Sequence, residues 1–182
     1  MKPSPTTFVL VLALTAVAPA NALADCGAAA DRNPGSPGAS PTAANSATLC
    51  LLNVERGRYQ KKRLRSNDKL ALAADGHARD MVQNHYFSHD APSGQNFVER
   101  IKATHYIPRG SSWALGENLA WGEQSRATPR QIVGAWMASP PHRANILTAD
   151  FREIGIAVVP GGPVPGASNA ATYATEFGAV HR

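Results

Sequence analysis

The chain has 182 residues, a net charge of +5 and 43% hydrophobic residues. That length suits one domain able to bury a substantial core. The charge surplus is mild: it fits an anionic partner such as a cell envelope and does not point to nucleic acid.

Met1 and Lys2 are followed by an apolar, uncharged run from Phe8 to Val17 and by Ala22-Leu23-Ala24. The run is too short for a membrane-spanning helix, which needs about 20 apolar residues. A positive start, an apolar middle and a small-residue end are the three parts of a secretory signal peptide. Residues 1–24 are therefore expected to be cleaved before Asp25, leaving a mature chain without a transmembrane segment, secreted or held at the cell envelope. Lipid attachment at Cys26 is set aside, because Asp25 stands where a small residue is needed.

Cys26 and Cys50 are the two cysteines. In an oxidising compartment an even count argues for one disulfide, worth about 3 kcal/mol for a loop of this length. Two free or intermolecular thiols are the alternative. Residues 25–46 are rich in Ala, Pro, Gly and Ser, and are expected to form a flexible segment ahead of a domain over residues 47–182.

From Ala47, the residues Leu49, Leu52, Val54 and Tyr59 predict a first helix ending near Lys62. The basic stretch Arg56 to Arg65 includes its end and reads as a solvated helix end and turn. Ser66 or Asn67 caps a second helix whose Leu70, Ala74, His77 and Met81 share one face. His77 reads as a hydrogen-bonded core histidine. A short third helix is expected over residues 97–104, with Phe97 and Ile101 inward. Thr128, Pro129 and Gln131 mark the start of a fourth, with Ile132, Val133, Trp136 and Met137 as its apolar face. Pro140 and Pro141 end it. Ile154, Ile156 and Val158 then alternate, as do Tyr173, Thr175 and Phe177, around the turn-rich segment from Pro160 to Ala167. An α+β architecture follows, with helices packed on a small antiparallel sheet.

Three polar segments between the helices carry side chains able to ligate or move protons. They are Phe87-Ser88-His89, Gly116-Glu117-Asn118 and Ser139-Pro140-Pro141-His142. No phosphate loop, nucleophile elbow or cysteine cage accompanies them.

Five words in register resemble the CAP superfamily of cysteine-rich secretory, antigen 5 and pathogenesis-related proteins, and its bacterial SCP-domain branch in particular. They are LLNVERGRY (Leu51 to Tyr59), FSH (Phe87 to His89), GENLAWG (Gly116 to Gly122), AWMASPPHRANIL (Ala135 to Leu147) and FREIGIAV (Phe151 to Val158). The resemblance implies a three-layer α-β-α sandwich and a cleft lined by His89, Glu117 and His142, supported by Ser139 and Asn118. The family's second acidic residue, placed three positions after Trp136, falls on Ser139, which leaves a triad plus a hydroxyl. The resemblance also implies that the three residues can hold zinc or another divalent cation. Two imidazoles and a carboxylate would leave one position open for water.

The implied function is a secreted binding or cell-envelope module, monomeric, with anionic envelope components or lipids as candidate partners. A zinc-dependent hydrolase, with catalytic candidates drawn from His89, Glu117 and His142, and a lipid- or sterol-binding protein are the alternatives.

Overall fold

The computed structural model describes residues 26–181; the leader read over residues 1–24 lies outside them. Helix α1 spans Pro41–Arg58, α2 Asp68–Gln83, α3 Phe97–Ala103, α4 Pro129–Ala138 and α5 Pro140–Leu147. Strand β1 is Arg65–Ser66, β2 Ser112–Glu123, β3 Glu153–Pro160 and β4 Ala170–His181.

Helix α1 begins six residues before the expected Ala47. The Ser40 side chain accepts from the Ala43 amide and Pro41 takes the first turn, where no amide donor is needed. Its buried face is made of Ala44, Ala47, Thr48, Leu51 and Leu52. Small residues thus build the packing surface of its first turns, where the chain has no large apolar residue, and Tyr59 is left 42% exposed. Ahead of the helix, Ala28–Asp31 form a 3-10 turn that buries Ala30 in the main core. The expected flexible segment is therefore packed from Ala28 onward at its turn and helical from Pro41. A Cys26–Cys50 disulfide joins it to α1.

The sheet runs in the order β1-β3-β4-β2. Strands β2 and β3 pair antiparallel with β4, while β1 pairs parallel with β3 over two residues, so the small sheet is mixed rather than wholly antiparallel. Helices cover both faces. Ile154, Ile156 and Val158 of β3 and Tyr173 and Phe177 of β4 pack with α1, α4 and α5, around Trp136 and Ile146. Ala157, Val159, Ala174 and Leu119 pack with Ala74, Ala78 and Met81 of α2. Because both faces are covered, residues between the expected inward positions are buried as well. Gly155 lets α2 approach: a Cβ there would lie 2.0 Å from the Leu70 carbonyl carbon.

The GENLAWG segment, read from sequence as a connection between helices, is the middle of the edge strand β2. Its Gly and Asn hide the strand from a propensity reading.

Candidate functional site: two histidines tied to an edge strand

Neighbouring residues of a strand point to opposite faces, and β2 uses this to join two distant motifs. Glu117 reaches His89, which lies in the loop after α2. His89 Nδ1 and Glu117 Oε1 are 2.6 Å apart. Asn118 points the other way and donates to the His142 carbonyl at 3.1 Å. Asn145 of α5 then donates to the Glu117 carbonyl (3.0 Å) and to Asn118 Oδ1 (2.9 Å). Asn118 is a mid-strand clamp on α5, in place of the chain-turning role its residue type suggests.

His142 lies in the first turn of α5, where its Nδ1 is 2.8 Å from Ser139 Oγ. Ser139 occupies the cap position of α5 without capping it, because its hydroxyl is turned to the imidazole. Both histidines thus have Nδ1 fixed, and neither Nε2 has a partner among the described residues. The His89 side chain is 55% exposed and that of Glu117 is 1% exposed. Anchor and presented ring are therefore clearly separated.

Two residues missed by sequence reasoning complete the site. Arg100, buried on α3, donates from Nη2 to Glu117 Oε2 at 2.7 Å and to the His89 carbonyl at 2.8 Å. Its Nη1 donates to the Gln95 carbonyl. The capping box of Asn96 and Glu99 sets the α3 start that carries it. The signal available in sequence was its place among the inward positions Phe97 and Ile101.

Glu176, fully buried on β4, stands opposite Glu117 in the β2–β4 register. Neither of its oxygens finds a donor among the described residues. Burial, then the negative charge of Glu117 and a hydrogen bond to it, push the Glu176 carboxyl well above the usual range. Burial also pushes Glu117 up, but hydrogen bonds from His89 and Glu176 and the charge of Arg100 outweigh it. Glu117 therefore ends below its ordinary value. Glu176 is the acid and Glu117 the carboxylate.

The imidazoles are split in the same way. The hydrogen bond to Glu117 raises the His89 pKa against the opposing effect of burial. Burial, then the charge of His89, lowers that of His142. His77 is a buried structural histidine, its Nε2 2.9 Å from the Ser88 carbonyl oxygen. Trp136 is a core residue, its Nε1 donating to the Leu119 carbonyl, whereas Trp121 is half-buried.

Among the described residues, no three His, Cys, Asp or Glu side chains stand as a metal-holding group. Glu117 has both oxygens committed, Oε1 to His89 and Oε2 to Arg100, so it does not suit direct ligation. Its position behind His89 is that of an outer partner which orients an imidazole and raises its basicity. The donor set on offer is thus two Nε2 nitrogens, oriented by Glu117 and Ser139.

A helix-covered mixed sheet with two oriented histidines tied to its edge strand defines the class of fold, and sequence comparison gives it a family. The profile of the cysteine-rich secretory protein family (CAP) matches residues 49–174, more than half of the chain, and the chain belongs to that family. YkwD of Bacillus subtilis strain 168 is 34% identical over 115 residues, covering 63% of this chain and 42% of that protein. The membrane protein YlbC of the same organism is 29% identical over 117 residues, covering 64% of this chain and 32% of that protein. The chain thus spans less than half the length of these relatives. Among solved structures, an extracellular SCP-domain protein from Bacillus anthracis superposes with a TM-score of 0.58 at 25% identity, over 78% of this chain and 44% of that one. An outer surface protein of Borrelia burgdorferi superposes with a TM-score of 0.58 at 22% identity, over 71% and 87% of the two chains, a likeness of fold.

Proposed function

We propose that the chain is an exported binding module of the cell envelope or its surroundings, and that His89 and His142 form its ligand site. One observation carries this reading: both rings are fixed through Nδ1, by Glu117 and Ser139, and both leave Nε2 unpartnered among the described residues. Two such nitrogens are suited to a divalent cation such as zinc, whose remaining positions a bound ligand or water would fill. The hydrolytic alternative is less well supported. Glu117 is committed to His89 and Arg100 and Ser139 to orienting His142, so neither stands free to activate water or to attack.

The test is zinc content and zinc titration of the mature protein, wild type against His89→Ala/His142→Ala. One equivalent bound by the wild type and none by the variant is expected. Equal zinc in the two overturns the cation reading. Export is checked by N-terminal sequencing of the secreted chain, expected to begin at Asp25.

A further inference from the structure

Six cations lie within ten residues at the end of α1: Arg56, Arg58, Lys61, Lys62, Arg63 and Arg65. The fold divides them. Arg56 is fully buried and serves the interior. Its Nε donates to the Lys62 carbonyl (2.7 Å), Nη1 to those of Ile146 (2.6 Å) and Thr148 (3.0 Å), and Nη2 to that of Phe151 (3.2 Å). One guanidinium thereby ties the turn after α1 to the end of α5 and the approach to β3.

That tie brings a further cation, Arg143, beside the same segment. Arg143 of α5 donates to the Tyr59 hydroxyl at 2.9 Å and lies over its ring, 5.0 Å from the centroid. The Arg152 carbonyl accepts from the Arg65 amide at 3.0 Å. Nearby carboxylates are already engaged: Glu55 with Arg58, Glu153 with Asn67 and Tyr106, and Asp150 with His181. Asp68 sits in the first turn of α2, where the helix dipole favours it. Lys61, Lys62, Arg63 and Arg65 make no ion pair or side-chain hydrogen bond among the described residues. A field of one sign on so short a segment is self-repelling unless an anion answers it.

The face is not only charged. A groove of about 310 Å³ opens beside Arg143, lined also by Met137, Ala138, Pro140, Ala144 and Leu147. Exposed Tyr59 stands at the boundary between cations and groove. A soluble polyanion would use the cations and leave the ring and the groove idle, whereas a molecule with an anionic head and an apolar tail uses all three.

We propose that this face docks the protein on an anionic phospholipid surface, with phosphates on Lys61, Lys62, Arg63, Arg65 and Arg143 and with Tyr59 and the groove in the interfacial layer. The proposal rests on the envelope location in the reading above and makes no use of the imidazole pair. Each Lys or Arg near such a surface strengthens binding about fivefold, and salt weakens it.

The test is co-sedimentation of the mature protein with phosphatidylcholine vesicles, with vesicles that also contain phosphatidylglycerol, and, in parallel, binding to soluble polyphosphate. Salt-sensitive binding to the anionic vesicles and not to the phosphatidylcholine vesicles is expected. Lys62→Glu/Arg63→Glu should weaken it at least about tenfold. Arg32→Glu/Arg126→Glu changes net charge equally on exposed residues elsewhere and should leave it within about twofold. Tyr59→Ala should weaken vesicle binding and spare polyphosphate binding. Equal loss in the two charge variants, or binding to polyphosphate without binding to vesicles, overturns the proposal. His89→Ala/His142→Ala should dock like wild type, so failure here and failure of the cation site are read separately.

Discussion

Glu117 and Glu176 face each other in register across β2 and β4, both buried, and their pKa values are driven apart, Glu117 down and Glu176 up. The charge stays on Glu117, where His89 and Arg100 donate to it. The proton stays on Glu176, which has no donor of its own among the described residues. An uncompensated second carboxylate there would be severely destabilising.

Glu176→Gln tests this division, since an amide mimics the neutral acid. A group whose folded pKa is raised contributes stability below its unfolded value, 4.5 here, and loses it as pH rises toward the folded value. The variant should therefore gain on the wild type as pH rises above 4.5, read by urea unfolding at several pH values. A difference that does not change with pH would show that Glu176 is not the proton holder.

The two site histidines should titrate on opposite sides of 6.5, His89 above and His142 below. His89 thus adds stability that is present below 6.5 and is lost as pH rises through its folded pKa. His142 acts in the opposite sense: protonation disfavours the folded state as pH falls below 6.5. Imidazole NMR resonances report both directly. Glu117→Gln should bring the His89 value down, because its largest raising contribution is the hydrogen bond to that carboxylate.

Arg56→Met should destabilise the protein by about 3–5 kcal/mol, since four buried or half-buried carbonyls lose their donor together. Urea unfolding measures it. A loss below about 1 kcal/mol would mean that water replaces the guanidinium at little cost.

Gly155→Ala should be disruptive for a different reason. The added methyl would meet the backbone of α2 at Leu70 and Ala71, within 2.1 Å of two atoms. Backbone cannot move aside as a flexible side chain can, so a loss of at least about 3 kcal/mol is expected, or failure to fold. Thermal unfolding of the variant checks it.

Local information carried much of this. Asn67, Asn96 and Thr128 cap the helices that their residue types announce. Leu70, Ala74, His77 and Met81 share the buried face that their spacing predicts. The alternation of Ile154, Ile156 and Val158 marks a strand. His89, Glu117 and His142 were legible as a set because each sits in a short word shared with a family. The start of α1 was not legible, because its packing face is made of alanines whose burial depends on partners far along the chain. Nor was β2, whose Gly and Asn residues are poor strand formers and are held there by pairing with β4.

The sequence by itself determined the family, the helix caps and the disulfide partners, since these depend on residue type and near neighbours. Only the tertiary structure decided which carboxylate keeps its charge, which arginine is interior and which cations share a face. Those depend on cross-strand register and burial, and a one-residue slip of β2 against β4 would separate Glu117 from both Glu176 and His89.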